Sequence, residues 1–190
     1  MDRRRAQRRY HVQCSIGCIG GYEALNIALY GFMGVGKTTT GKLLATRLNY
    51  EFIDMDTEIE KRMGMPISDV FRVHGEKKFR QIEAQLVEEL SRRDRLVIAC
   101  GGGAIADPDN AEALRGSAKM VYLTASIEEI IRRTSLDNSR PLLDVPNPTE
   151  VASSLLEKRK PVYLQYAEAT VDTTGRTPDE IALTIMEELK

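Results

Sequence analysis

The feature that most constrains the fold is a glycine-rich loop between two segments of different periodicity. The loop, GFMGVGKT at residues 31–38, matches the pattern GxxxxGK[ST]. The preceding residues 25–30 (LNIALY) are apolar and partly β-branched, as in a buried strand, and residues 37–48 have helical apolar periodicity. Strand, loop and helix in this order form the context in which such a loop binds phosphate. The alternative is a glycine-rich turn that contains Gly-Lys-Thr by chance.

The residue types of this loop suit a nucleoside triphosphate bound with Mg²⁺. Glycines let successive backbone N–H groups turn towards a polyphosphate, and the following helix directs its N-terminal N–H groups at the same oxygens. Lys37 would reach the β- and γ-phosphates, and the Thr38 hydroxyl would bind Mg²⁺. The nucleotide-binding residues predicted in this loop are Gly34, Val35, Gly36, Lys37, Thr38 and Thr39.

Bulk composition points to an ordinary globular domain. The 190 residues are 42% apolar and 29% charged, and no apolar run is long enough to cross a bilayer. The net charge of −1 gives no reason to expect nucleic acid or a membrane as a partner. Three cysteines are too few and too scattered for a disulfide framework, so we expect free thiols in a reducing compartment.

The first 23 residues differ in composition from the rest of the chain. Residues 1–24 hold five arginines but only two acidic residues, and they include a glycine-rich stretch. Three interpretations remain open: a disordered extension, an organelle-targeting peptide, or a translated stretch upstream of the true domain. We predict a disordered basic extension over 1–23 and one domain over 24–190.

Beyond the loop, short apolar runs alternate with helical segments, which predicts an α/β fold with a mostly parallel sheet covered by helices. The further predicted strands are 51–54, 96–100, 119–124 and 169–172. The further predicted helices are 56–63, 66–73, 76–93, 126–133 and 178–189. Residues 134–150 are polar, rich in proline and without clear periodicity, so we expect a loop that acts as a lid.

Two carboxylates, Asp54 and Asp56, stand where the second predicted strand ends. The carboxyl ends of parallel strands border the crevice in which open α/β sheets bind ligands. Either side chain could therefore support Mg²⁺ or accept a hydroxyl of a substrate. The alternative is helix capping by Asp56, because Asp is a favoured N-cap residue.

Two further features carry a functional and a structural interpretation each. Arg80 and Glu83 are three residues apart and can pair on one helical face, so the structural interpretation is a surface salt bridge. Residues 101–103 (Gly-Gly-Gly) follow a buried strand. These glycines either allow the backbone to approach a ligand closely or form a tight turn from strand to helix. That strand ends in Cys100 and lacks the carboxylate that commonly supports Mg²⁺ in this type of protein, which favours Asp54 for that role.

Six motifs in register resemble the shikimate kinase family over about residues 25–190. They are GFMGVGKT, FIDMD, GEKKFRQIE, GGG, RPLL at 140–143 and RKPVY at 159–163. The resemblance implies a P-loop NTPase fold with a five-stranded parallel sheet and a mobile lid. It also implies transfer of the γ-phosphoryl group of ATP to the 3-hydroxyl of shikimate, in a cytoplasmic monomer.

The resemblance also implies roles for individual residues. Lys37, Asp56 and Arg140 would be catalytic, with Arg140 in the lid moving onto the phosphates. Asp54 would support Mg²⁺ through water, beside Thr38. The residues bordering the adenine would be Arg133, Arg176 and Pro178. The residues binding shikimate would be Asp56, Arg80, Gly101, Gly102, Gly103 and Arg159.

The chemistry of these residues agrees with the implied substrate. Shikimate carries one carboxylate and three hydroxyls, so two guanidiniums can bind its carboxylate while a carboxylate receives hydroxyls. Arg80, Arg159 and Asp56 supply that set.

The sequence also leaves other functions open. A gluconate or nucleoside-phosphate kinase could share the fold, and a catalytically silent relative could bind nucleotide without turnover. A GTPase is disfavoured because the chain lacks the guanine-reading NKxD motif.

Overall fold

The computed structural model describes residues 25–135 and 147–190. The predicted extension over 1–23 lies outside the described residues, as do Arg140 and most of the predicted lid.

Five strands form one parallel sheet. The strands are β1 Asn26–Tyr30, β2 Glu51–Asp54, β3 Leu96–Ala99, β4 Ala118–Thr124 and β5 Ala169–Asp172. Their order across the sheet is β2-β3-β1-β4-β5, and every pairing is parallel. The predicted fold class, an α/β protein with a five-stranded parallel sheet flanked by helices, is confirmed.

Seven helices are described. They are α1 Lys37–Leu48, α2 Met55–Met63, α3 Ile67–Leu90, α4 Pro108–Arg115, α5 Ile127–Thr134, α6 Pro148–Tyr166 and α7 Pro178–Glu188. A short 3₁₀ helix spans Ala104–Ala106. None of the described helices is both long and apolar enough to span a membrane.

The central strands of the sheet, β1, β3 and β4, are buried on both faces. In β1, Ala28 and Tyr30 pack into one apolar cluster, while Ile27 and Leu29 pack into the cluster on the opposite face. Burial on both faces explains why the strands read as apolar runs rather than as an alternation of polar and apolar residues.

Strand order determines where a ligand can bind. From β1 the chain crosses over β3 to reach β2 at one edge, and from β3 it crosses over β1 to reach β4 on the other side. At such a reversal the loops leave the sheet in opposite directions and open a crevice at the carboxyl ends of the strands. The crevice therefore lies above β1 and β3, which are followed by the glycine loop and the three glycines.

The two helices predicted over 66–73 and 76–93 are both present. They lie within α3, where the helical backbone is broken at Gly75, with φ 76° and ψ 166°. Such a positive φ is accessible to glycine at little cost, so Gly75 allows the chain to turn between the two helical halves. The predicted strands and the remaining helices are confirmed to within one or two residues at their ends.

Two helices were not predicted. Asp107 caps α4 and Pro108 follows it, a start signal that the sequence did contain. α6 contains Pro161 in its interior, a residue that ordinarily ends a helix. The predicted lid over 134–150 is corrected at both ends, because Thr134 still belongs to α5 and α6 begins at Pro148.

Candidate active site

The glycines of the phosphate loop have a positive φ, a backbone conformation that glycine adopts readily. Gly34 and Gly36 have φ of 76° and 91°, and Gly36 precedes α1 without any side-chain cap on the helix. No side-chain cap covers the N-terminus of α1, and the loop is suited to hold phosphate oxygens there. The Lys37 ammonium donates to the carbonyls of Gly31 and Phe32 at 3.1 and 3.0 Å, which keeps it beside the loop.

Asp54 serves both as a helix cap and as a partner of the phosphate loop. Its Oδ1 accepts the N–H groups of Asp56 and Thr57 at 3.1 and 3.3 Å, and its Oδ2 accepts the Thr38 hydroxyl at 2.6 Å. The expectation that Asp56 would cap the helix is wrong: α2 begins at Met55, and the cap is Asp54. Asp56 thus lies in the first turn of α2.

Each of the three glycines after β3 faces one of the predicted substrate-binding side chains. A Cβ atom placed on Gly101 would lie 2.6 Å from Oδ1 of Asp56. A Cβ on Gly103 would lie 2.7 Å from Nη1 of Arg80, and one on Gly102 would lie 3.5 Å from Nη1 of Arg159. The loop therefore gathers one carboxylate and two guanidiniums around a backbone that has no side chains of its own.

The pair formed by Arg80 and Glu83 is part of this site and is not a surface salt bridge. Nη1 of Arg80 donates to Oε2 of Glu83 at 2.7 Å, and the Glu83 side chain is only 1% exposed. Burial raises the pKa of Glu83, although the guanidinium of Arg80 opposes that effect. Sequence spacing predicted the contact but not its burial, so Glu83 was not among the predicted site residues.

α6 contributes Arg159 and, one turn later, Tyr163. Both donate to the same acceptor, the carbonyl of Gly102, with Nη1 of Arg159 at 3.1 Å and the Tyr163 hydroxyl at 2.6 Å. The RKPVY motif therefore reaches the glycines through two side chains, of which only Arg159 was predicted.

A second cleft, of about 510 Å³, lies on the other side of the phosphate loop. The predicted residues that line it are Gly36, Thr39, Arg133, Arg176 and Pro178. Lining residues that were not predicted are Thr40, Glu129, Arg132, Gly175, Thr177 and Ile181. The guanidinium of Arg133 donates to the carbonyls of Gly34 and Thr173 at 3.2 and 2.7 Å, so it joins the phosphate loop to the segment after β5.

Glu129 holds Arg133 in this position. Its Oε1 accepts Nε of Arg133 at 2.7 Å, and its two oxygens also accept the Arg132 guanidinium, each at 2.8 Å. The hydrogen bond from Arg132 and the charges of both arginines lower the pKa of Glu129 to about 2. The carboxylate is therefore ionised at neutral pH and orients the guanidinium that borders the cleft.

Cys100, at the end of β3, is a buried side chain between the two pockets. It is 1% exposed, and burial raises the pKa of its thiol to about 12. The side chain thus packs as a small apolar residue. Among the described residues, no group of three His, Cys, Asp or Glu side chains is arranged to hold a metal ion.

The fold and the two pockets define the class of the protein. The phosphate loop lies between the 510 Å³ cleft, which is large enough for part of a nucleotide, and the site at the three glycines, which contains one carboxylate and two guanidiniums. This is the arrangement of a P-loop NTPase of the small-molecule kinase class, in which donor and acceptor approach from opposite sides of the loop.

Comparison with known proteins identifies the family. A family model described as shikimate kinase matches residues 33–190. The shikimate kinase of Hahella chejuensis is 44% identical over 165 residues, which are 87% of this chain and 86% of that protein. The structure of shikimate kinase from Acinetobacter baumannii in complex with shikimate has a TM-score of 0.82 and 41% identity, covering 86% of this chain and 91% of that one. The chain belongs to the shikimate kinase family.

A more distant match bears on the alternative of a gluconate kinase. The structure of a gluconokinase from Sinorhizobium meliloti has a TM-score of 0.54 at 20% identity, covering 87% of this chain and 91% of that one. This likeness shows a shared fold only. The family match and the residues at the acceptor site favour shikimate over gluconate.

Proposed function

We propose that this chain transfers the γ-phosphoryl group of ATP to the 3-hydroxyl of shikimate, giving shikimate 3-phosphate in the synthesis of aromatic amino acids. The observation that carries the proposal is the convergence of Asp56, Arg80 and Arg159 on the three glycines beside the phosphate loop. Two guanidiniums fit the carboxylate of shikimate, and the carboxylate of Asp56 fits its hydroxyls.

The nucleotide would lie along the phosphate loop with its base in the cleft bordered by Arg133, Arg176 and Pro178. Gly34, Val35, Gly36, Thr38 and Thr39 would supply N–H groups to the phosphates. Lys37 would exchange its two carbonyl partners for the β- and γ-phosphates. Arg140 is outside the described residues, and its approach to the phosphates stays a prediction.

The residues that would hold Mg²⁺ are Thr38 and Asp54. The Thr38 hydroxyl would bind Mg²⁺ directly, and the Asp54 carboxylate, which accepts that hydroxyl at 2.6 Å, would support the ion through water. Mg²⁺ usually retains several waters and binds through one or two protein groups together with substrate phosphates, so no larger cluster is needed. When bound, it would neutralise charge that develops on the phosphate oxygens.

The acceptor hydroxyl would be aligned by Asp56. Asp54 caps the helix that carries Asp56, so the same carboxylate that contacts the phosphate loop also fixes the first turn of α2. Because phosphoryl transfer depends chiefly on alignment and charge neutralisation, this shared anchor is the main contribution of β2 to catalysis. A monomeric, cytoplasmic protein without nucleic-acid or membrane partners stays a prediction.

Replacing Glu83 with Gln is expected to raise the KM for shikimate about 10-fold or more, because Arg80 loses its charged buried partner. The KM for ATP should stay within about twofold, since Glu83 lies on the acceptor side. Steady-state kinetics with each substrate varied in turn measures both values.

Glu76→Gln is the matched control, because Glu76 pairs with the same arginine from a 69% exposed position at 3.4 Å. Exposed ion pairs contribute little, so its KM for shikimate should change less than about twofold. Equal changes in the KM for shikimate in the two variants would show that burial of Glu83 does not contribute to shikimate binding.

The proposed function is tested by measuring ADP release with different acceptors. The purified protein is given MgATP together with shikimate, gluconate, AMP or no acceptor. Turnover that depends on shikimate, with the other three reactions near background, is expected. Absence of shikimate-dependent ADP release at millimolar concentration would overturn the proposal.

A further inference from the structure

The structure assigns Tyr163 a role in the reaction: its hydroxyl is a positioning group that fixes the peptide between Gly102 and Gly103 for the acceptor. This inference rests on the proposed function and deepens it, because it adds a determinant of the acceptor site beyond the side chains that would touch shikimate.

The contact that carries the inference is the shortest one made to the glycine segment. The Tyr163 hydroxyl donates to the Gly102 carbonyl at 2.6 Å, whereas Nη1 of Arg159 reaches the same oxygen at 3.1 Å. Arg159 is the residue expected to turn towards the carboxylate of the substrate. The tyrosine supplies a second donor that stays on the carbonyl when the guanidinium reorients.

Because the peptide between Gly102 and Gly103 is planar, a hydrogen bond to the Gly102 carbonyl also fixes the direction of the Gly103 N–H. There is no cis peptide bond among the described residues, so the Gly102 carbonyl and the Gly103 N–H point in opposite directions. With the carbonyl held against α6, the N–H faces away from α6. Within residues 25–135 and 147–190, neither the N–H of Gly102 nor that of Gly103 has a hydrogen-bond partner, so both are available to a ligand.

Glycine makes an external anchor necessary. Three successive glycines leave the backbone without the steric restriction of side chains, and the resulting conformational freedom must be lost before a substrate can bind. A Cβ at Gly101 or Gly103 would displace the end of the Asp56 or Arg80 side chain, which lies 2.6 or 2.7 Å from where the Cβ would be. A hydrogen bond from α6 restrains the segment without occupying that space.

Tyr163 is itself firmly placed. The side chain is 1% exposed, and its ring lies 5.3 Å from that of Tyr122 and 5.9 Å from that of Tyr30. The Tyr30 hydroxyl donates to the Tyr163 carbonyl at 2.8 Å, which ties α6 to the end of β1 just before the phosphate loop. Burial raises the pKa of Tyr163, so the phenol stays neutral and keeps its proton for the Gly102 carbonyl.

The test uses two phenylalanine substitutions in the same aromatic cluster. Tyr163→Phe removes the hydroxyl that reaches Gly102 and keeps the ring. Tyr122→Phe is the matched control, because the Tyr122 side chain is equally buried and, among the described residues, its hydroxyl makes no hydrogen bond to the glycine segment. Hydrogen exchange of residues 101–104 without substrate, melting temperature, and the KM for each substrate are measured for both.

Tyr163→Phe is expected to speed exchange of residues 101–104 and to raise the KM for shikimate about 3- to 10-fold, the effect of one hydrogen bond. The KM for ATP should stay within about twofold, and Tyr122→Phe should match the wild type in exchange and in both KM values. Identical behaviour of the two variants overturns the assignment. A rise in both KM values together with a lower melting temperature also overturns it, because that pattern indicates a merely structural role.

The two proposals fail in distinguishable ways. The exchange measurement needs no substrate, so it tests the tyrosine even if the wild-type protein does not phosphorylate shikimate. A wild type inactive on shikimate contradicts the proposed function, whereas a Tyr163→Phe variant with wild-type exchange and KM contradicts the positioning role alone.

Discussion

Asp56→Asn is expected to lower kcat for shikimate phosphorylation by about 100-fold or more while leaving the Kd for MgATP within about threefold. The carboxylate lies where a Cβ on Gly101 would touch it, on the acceptor side of the phosphate loop. Asparagine keeps the size of the side chain and can still contact a hydroxyl. It lacks the charge that accepts and orients the attacking hydroxyl in the transition state. Turnover kinetics and calorimetric titration with a non-hydrolysable ATP analogue measure the two quantities.

The control for this substitution is Glu58→Gln, which makes the same change of charge on the same helix. Glu58 pairs with Arg62 at 3.0 Å, so its kcat should stay near that of the wild type. Two results would contradict the role assigned to Asp56. Loss of MgATP binding in Asp56→Asn would indicate a metal or folding role, and near-normal turnover would show that the hydroxyl is oriented by other groups.

Gly31→Ala is expected to cause the largest loss of stability among single substitutions in the phosphate loop. A Cβ on Gly31 would lie 2.1 Å from the backbone carbonyl oxygen of Leu123, and Gly31 has φ of 140°. The obstacle is backbone of β4, the strand beside β1, and cannot move aside as a flexible side chain could. Overpacking and backbone strain together should lower the free energy of unfolding by about 3 kcal/mol or more.

Gly64→Ala separates strain from the clash in this experiment. Gly64 ends α2 with φ of 66°, and a Cβ added there would have nothing within 4 Å. Only backbone strain is introduced at this position, so the expected loss is about 1 kcal/mol. Urea unfolding of both variants gives the comparison. A Gly31→Ala protein as stable as Gly64→Ala would show that β1 and β4 can separate at low cost at this point.

The parts of the fold that were predictable are those determined by local pattern. The central strands β1, β3 and β4 were found because strands buried on both faces form short apolar runs. The edge strands β2 and β5 are partly exposed, and their alternation with helical segments indicated them. α6 was missed because Pro161 lies in its interior, and only packing of the whole helix against the rest of the domain outweighs that local penalty.

Some residues of the candidate site were predictable from the sequence and others were not. Asp56, Arg80 and Arg159 were predicted from motifs, and the structure brings all three to the glycines after β3. Their roles stay predictions. Glu83 was missed because a spacing of three residues is the same for an exposed and a buried pair. Its burial depends on which elements cover it, and that is not a property of the helix alone.

Long-range contacts were the least predictable part. The hydrogen bond from Tyr163 to Gly102 joins residues 61 positions apart, and nothing in the RKPVY motif indicates which carbonyl the hydroxyl meets. The capping of α2 by Asp54 was not predicted. The predicted helix began at residue 56, whereas α2 begins one residue earlier, at Met55. Such a shift is within the ordinary uncertainty of a helix boundary.

The central claim is that the two pockets bring ATP and the 3-hydroxyl of shikimate together for phosphoryl transfer. Phosphorus–proton correlation NMR on the product of a reaction with MgATP and shikimate tests it directly, because it identifies the oxygen that is esterified. A phosphate ester on the 3-hydroxyl, formed in equal amount to ADP, is the expected result. Release of inorganic phosphate without an ester, or an ester on another hydroxyl, would contradict the account.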